Sequence, residues 1–134
     1  MMHKSALIPS IVLVGLTPDL RNNIVLHLGK SCNIVEIQHR FSIQAFSVIP
    51  NLNLILFDID QMNIKIEDLI EPVKAHDVYC KIPVIALAMK RHYDDFSMNL
   101  KKKFDDIILL PTNMEEMLTR IDVWIQTYQS SKKA

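Results

Sequence analysis

Residues 52–60 read Leu-Asn-Leu-Ile-Leu-Phe-Asp-Ile-Asp, an apolar run that leads directly into two acids. A short, nearly continuous apolar run is typical of a strand that is buried on both faces of a parallel sheet. Ligands of such sheets bind outside the carboxyl ends of the strands. Asp58 and Asp60 therefore stand at the position where binding or chemistry is expected.

Four further short apolar runs share this character, and helical patterns separate them. The runs lie at residues 11–14, 34–37, 83–88 and 107–110, and the helical patterns at 18–28, 42–49, 66–73, 93–103 and 113–128. Strands that alternate with helices predict an α/β fold with a parallel sheet covered on both faces. Right-handed crossovers favour the strand order 2-1-3-4-5. We therefore predict a flavodoxin-like three-layer sandwich with a five-stranded parallel sheet and five helices.

The size and charge of the chain restrict its class. A length of 134 residues fits a single domain, 1–134, with a core at about 10–128 and a tail or linker start at 129–134. Basic and acidic residues both number 15, and this balance argues against a nucleic-acid module. The sequence contains neither an apolar run long enough for a membrane span nor a signal peptide. A cytoplasmic protein without a membrane segment is predicted.

Candidate catalytic and metal-binding sets are missing from the sequence. Cys32 and Cys80 are the only cysteines, and two isolated thiols make neither a disulfide framework nor a zinc site. The five histidines lack the close spacing of a helical metal pair. With two glycines, the chain also lacks a Gly-rich phosphate loop. We predict neither an enzyme nor a resident metal from these residues.

Three segments carry a resemblance to a known family. Residues 54–58, Leu-Ile-Leu-Phe-Asp, resemble a third strand that ends in a phosphoacceptor aspartate. Residues 82–88 resemble the fourth strand of the same family, and residues 104–111 resemble the segment around its fifth strand, at matching spacings without gaps. The chain thus resembles the CheY-like receiver domain of two-component response regulators over roughly residues 10–128.

The resemblance implies one retained signature residue and five altered ones. Asp58 occupies the phosphoacceptor position. Gly15 and Leu16 stand in place of the family's two Mg²⁺-binding acids, and Ala88 replaces the hydroxyl that contacts the phosphoryl group. Ile107 replaces the aromatic switch residue, and Leu110 replaces the lysine that pairs with the phosphoryl charge. The resemblance also implies a cis bond between Leu110 and Pro111.

These replacements predict a broken phosphorylation site. Phosphoryl transfer depends mainly on positioning and charge neutralisation, so phosphorylation of Asp58 is expected to be slow or absent. Asp60 and Asp19 are candidates for compensating acids. We expect no cofactor, and Mg²⁺ only if Asp58 and Asp60 suffice as its ligands.

The leading hypothesis is a pseudo-receiver, a signalling module that acts by protein–protein interaction without phosphorylation control. Two alternatives stay open: an atypical but functional receiver phosphorylated on Asp58, and a flavodoxin-like module that binds a small ligand in the same crevice. The expected partner is another protein or a fused effector domain. The resemblance further implies a homodimer through the fourth and fifth predicted helices, 93–103 and 113–128.

Overall fold

The computed structural model describes residues 8–37, 43–60 and 66–132. Within them, five parallel strands form one sheet in the order β2-β1-β3-β4-β5. The strands are β1 (Ser10–Val14), β2 (Asn33–Ile37), β3 (Leu52–Asp58), β4 (Val84–Met89) and β5 (Asp106–Leu110). The predicted sheet and its order are confirmed.

Helices lie on both faces of this sheet. The described residues contain the α-helices α1 (Pro18–Leu28), α2 (Ile66–Ala75), α3 (Met98–Lys101) and α4 (Met114–Lys132). They also contain the 3₁₀-helices Ile43–Val48, Tyr79–Lys81 and Lys90–Asp95. None of the helices in these ranges is long and apolar enough to cross a membrane.

Alternate side chains of the strands point to opposite faces and build two apolar layers. The layer on one face includes Val12, Val14, Ile55 and Phe57 of the strands with Leu69, Ile70 and Val73 of α2. The layer on the other face includes Ile11, Leu13, Leu54 and Leu56 with Ile24 of α1 and Met117, Ile121 and Ile125 of α4. The expected three-layer sandwich is therefore present, and β3 is buried along its whole length.

Two of the five predicted helices differ from the prediction. The second, predicted at 42–49, is a 3₁₀-helix at Ile43–Val48, and residue 42 lies outside the described residues. The fourth, predicted at 93–103, is interrupted between the 3₁₀-helix Lys90–Asp95 and α3. The cause of the interruption is Ser97, whose hydroxyl accepts a hydrogen bond from the Leu100 amide at 3.1 Å and caps a new helix.

The last helix continues past the predicted end of the core at about residue 128. α4 ends at Lys132, and so includes part of the segment predicted as a tail or the start of a linker. The ammonium group of Lys132 donates to the side chain of Asn51 at 3.0 Å and lies over the ring of Tyr128 at 4.9 Å from its centroid. These contacts hold the last turn of the helix against the domain.

Candidate functional site

A cleft of about 360 Å³ lies at the carboxyl edge of the sheet, where the sequence places Asp58. Two acids, three uncharged polar residues and six apolar residues line it. They are Asp58, Asp60, Thr17, Asn23, Thr112, Leu20, Met89, Leu110, Pro111, Met114 and Met117. The ends of β3, β4 and β5 and the first turns of α1 and α4 therefore meet at this cleft.

Asp58 is the last residue of β3, and only 1% of its surface is exposed. Its position is fixed by the sheet, since Asp58 is in register with Leu87 of β4 and the preceding Phe57 with Val14 of β1. A carboxylate oxygen of Asp58 accepts the backbone amide of Asp60 at 3.2 Å. The burial of a carboxyl group is costly unless it is hydrogen-bonded, and this bond satisfies part of that requirement.

Asp60 connects the end of β3 to the segment that follows β4. Its side chain is 6% exposed, and one oxygen lies 2.8 Å from Nδ1 of His92 in the 3₁₀-helix after β4. The other oxygen accepts the backbone amide of Met89. Both carboxylate oxygens of Asp60 therefore already contact other residues of the chain. The sequence reasoning missed His92, and the only available signal was its position shortly after the carboxyl end of β4.

Asp19, the other candidate acid, lies in the first turn of α1 and is exposed. It is not among the residues that line the cleft. Thr17 caps this helix by accepting the Leu20 amide at 3.4 Å, and these two residues contribute to the lining instead. Of the two candidate acids, the structure brings only Asp60 to Asp58.

Of the five altered signature positions, Leu110 is the one among the described residues that line the cleft. Gly15 follows β1 with φ of 73°, in the left-handed region, and Leu16 packs against the apolar layer of α1 and α4. Ala88 is fully buried in β4, and Ile107 packs against the apolar layer of α2. Leu110 ends β5 and lines the cleft, and its bond to the following proline is cis, as the resemblance implied.

The residues at the cleft do not fit the Mg²⁺ site that the receiver fold implies. Mg²⁺ requires near-octahedral oxygen ligands, usually one or two carboxylates with phosphate and water. The oxygens of Asp60 are engaged by Met89 and His92. Across residues 8–37, 43–60 and 66–132, no three or more His, Cys, Asp or Glu side chains gather as metal ligands.

Comparison with known proteins gives a likeness in structure alone. No family model and no curated protein matches the chain. Among solved structures, the signal receiver domain of a protein described as a LuxO repressor from Vibrio parahaemolyticus is 19% identical, with a TM-score of 0.74 over 92% of this chain and 95% of that one.

Two further solved structures show the same likeness. A response regulator receiver modulated diguanylate cyclase from Pelobacter carbinolicus is 16% identical, with a TM-score of 0.71 over 94% of this chain and 99% of that one. The chemotaxis response regulator CheY4 of Vibrio cholerae is 13% identical, with a TM-score of 0.68 over 87% and 98%. At such identities the likeness shows the fold: the chain has the CheY-like architecture of receiver domains.

Proposed function

We propose that this chain is a pseudo-receiver, a signal-transduction module of the response-regulator type that acts through protein contact and without phosphorylation control. The observation that supports this most strongly is the lining of the cleft around Asp58. Leu110 contributes to its wall at the position where the family resemblance places a lysine. The described lining residues include no Lys or Arg.

The charge at the cleft argues against a stable aspartyl phosphate. A phosphoryl group on Asp58 would carry up to about two negative charges at neutral pH in place of the single charge of the carboxylate. The other acid that lines the cleft is Asp60, which adds further negative charge. A buried charge without a cationic partner is strongly unfavourable. The free energy of the phosphorylated state would therefore be high in this cleft.

The residues that a receiver uses to change conformation on phosphorylation are also replaced in this chain. Ala88 carries no hydroxyl that could bond a phosphoryl oxygen, and its side chain is fully buried in β4. The end of β4 and the 3₁₀-helix after it are already tied to the loop after β3 through the contacts of Asp60 with Met89 and His92. We infer that the chain's own contacts, rather than a phosphoryl group, set the conformation of this segment.

The proposed output is contact with a separate protein or with a fused effector, and we assign no catalytic reaction to this chain. The name of one similar structure, a receiver modulated diguanylate cyclase, offers an example of a receiver coupled to an effector. A homodimer through the predicted fourth and fifth helices stays a proposal. Met98 on α3 and Val123 on α4 are 64% and 55% exposed and are available for such a contact. Light scattering over a concentration series tests the dimer.

Amide NMR spectra test the loss of phosphorylation control. The protein is titrated first with Mg²⁺ and then with beryllofluoride, which stands in for the phosphoryl group on an aspartate. We expect no saturable shifts at Asp58, Gly15 or Ala88. Saturable shifts that vanish in an Asp58→Asn variant would contradict the proposal and would identify a working receiver with an unusual metal site.

A further inference from the structure

We infer that the cleft at Asp58 is a binding site for a small neutral molecule with an apolar body and one hydroxyl or carbonyl group. This inference goes beyond contact signalling, because it gives the same module a chemical input. It requires no free carboxylate, metal ion or phosphoryl donor, so it does not depend on whether Asp58 is phosphorylated.

The two acids of the cleft present little of their surface to a ligand. Asp58 is 1% exposed, and its carboxylate accepts the backbone amide of Asp60 at 3.2 Å. The side chain of Asp60 is 6% exposed, and its two oxygens contact the Met89 amide and Nδ1 of His92. The surface that a ligand would meet therefore comes mainly from the other residues of the cleft.

That surface continues one of the two apolar layers of the core. Leu110 and Met117 belong to the buried layer beneath α1 and α4, and Leu20, Met89 and Met114 pack against it while they stay partly exposed. All five residues also line the cleft. The layer is thus left open at the carboxyl edge of the sheet, and a ligand would cover apolar surface that is now accessible to water.

The size of the cleft suits a small organic molecule. A volume of about 360 Å³ lies at the lower end of the range of ligand pockets, which are mostly apolar with a few polar groups that orient the ligand. Three of the lining residues are methionines, at the end of β4 and in the first turn of α4. Methionine side chains are flexible and polarisable, so these walls can adapt to the shape of an apolar body.

Two threonine hydroxyls supply polar contacts that can orient the ligand. The Thr17 oxygen accepts the Leu20 amide at 3.4 Å, which leaves the hydroxyl proton to be donated. The Thr112 hydroxyl donates to Glu116 at 3.0 Å, which leaves its oxygen with capacity to accept. The cleft thus offers an uncharged donor and an uncharged acceptor, and a hydroxyl or carbonyl group matches them.

The same lining disfavours a charged ligand. The described lining residues include no Lys or Arg that could pair with an anion. An ammonium group would need an accessible carboxylate, whereas Asp58 and the side chain of Asp60 are almost completely buried. A charge that leaves water without a partner loses its hydration, and this loss is costly. A neutral molecule is therefore the ligand class that matches the cleft.

The test uses three probes that share one body and differ in the head group. They are 4-phenylbutan-1-ol, 4-phenylbutylamine and 4-phenylbutyrate. Methionine methyl groups of the full chain are labelled with ¹³C and followed by NMR, because Met89, Met114 and Met117 line the cleft. Met98 is exposed on α3 outside the cleft and serves as an internal control.

We expect the alcohol to give saturable shifts at Met89, Met114 and Met117, while the signal of Met98 stays unchanged. For a probe of this size a dissociation constant on the order of millimolar is expected. The amine and the carboxylate should each bind at least about ten-fold more weakly than the alcohol, because their charges lose hydration in the cleft without gaining a partner.

A matched pair of variants tests whether the apolar wall carries the binding. Met114 and Met98 are each the first residue of an α-helix, a position at which an acid is compatible with the helix. Met114→Glu places a carboxylate of similar length in the wall, and the alcohol should then bind at least about ten-fold more weakly. Met98→Glu makes the same change outside the cleft and should leave the affinity unchanged.

Four results would overturn the inference. They are the absence of saturable shifts at the cleft methionines, equal shifts at Met98, binding of either charged probe as tight as that of the alcohol, and alcohol binding that survives Met114→Glu. The comparison of the three probes uses the wild-type chain, so it decides the question even if Met114→Glu fails to fold. None of these results affects the beryllofluoride experiment, so the failure of this inference and the failure of the pseudo-receiver proposal are distinguishable.

Discussion

Nδ1 of His92 lies 2.8 Å from a carboxylate oxygen of Asp60, and the other oxygen of this carboxylate accepts the amide of Met89. One acid after β3 therefore contacts both the last residue of β4 and the 3₁₀-helix that follows it. In the proposed account, this pair of contacts holds the loop that a receiver would move on phosphorylation. Asp60, which the sequence offers as a compensating acid, makes these contacts within the folded chain.

The two contacts of Asp60 should contribute unequally to stability. Asp60→Ala removes the acceptor of the partly buried Met89 amide, and the loss of such a bond costs about 1–3 kcal/mol of unfolding free energy. His92→Ala should cost only about 0.2–1 kcal/mol, because the His92 side chain is 43% exposed. Urea denaturation of both variants measures the difference. Equal losses in the two variants would show that the amide bond is not the dominant contact.

Three of the five signature groups should restore the phosphoryl response when they are returned together. We expect the triple variant Leu16→Asp, Ala88→Ser and Leu110→Lys to give saturable beryllofluoride shifts in the presence of Mg²⁺. These residues would supply an oxygen ligand, a donor and a cation to Asp58. Gly15 is retained, because its φ of 73° would cost a side chain about 1–2 kcal/mol.

The control for this restoration is the same triple variant with Asp58→Asn, in which the shifts should disappear. The single variant Leu110→Lys should not respond, because a cation alone supplies no metal ligand. If the folded triple variant also fails to respond, the altered signature residues are not sufficient to explain the lost chemistry.

Alkaline pH should destabilise the domain. Burial raises the pKa of the Cys32 thiol above its ordinary value of 9.0, and it raises the pKa of the Tyr128 hydroxyl above 10.0. In both cases the folded state favours the neutral form, while the unfolded chain ionises at the ordinary pKa. The stability that the neutral Cys32 thiol contributes is therefore complete below pH 9.0 and is lost as the pH rises through the raised pKa of the thiol in the folded state. The contribution of Tyr128 is complete below pH 10.0 and is lost in the same way.

Urea midpoints recorded as the pH is raised from 9.0 test this dependence. Cys32→Ala should flatten the first part of the decline, and Tyr128→Phe the part above pH 10.0. The matched control for the first part of the decline is Cys80→Ala, which removes the thiol that is not fully buried. Above pH 10.0 this variant also removes a charge that raises the pKa of Tyr128, so it is not a control for the second part. A decline that is identical in the wild type and in Cys32→Ala would contradict the assignment to that thiol.

The sheet could be predicted from the sequence because β3 and β4 are buried on both faces and therefore form continuous apolar runs. The interruption before α3 could not, because a serine in a helical pattern does not reveal whether it caps a new helix, as Ser97 does. A local sequence pattern therefore predicts the type of an element more reliably than the positions at which that element is interrupted.

The candidate site was predicted only in part. The position of Asp58 at the edge of the sheet follows from the end of a strand, which is a local signal. The partners of Asp60 come from a segment distant in the sequence, and Met114 and Met117 reach the cleft from the other end of the chain. Such contacts depend on packing between elements, and no spacing within one segment encodes them.

The most direct test of the central claim is the intact mass of the protein after incubation with acetyl phosphate and Mg²⁺. The account predicts that the mass of the wild-type chain stays unchanged, because the described residues that line the cleft include no Lys or Arg and gather no set of metal ligands for phosphoryl transfer. A mass increase of one phosphoryl group that is absent from Asp58→Asn would contradict the account and would establish the chain as a functional receiver.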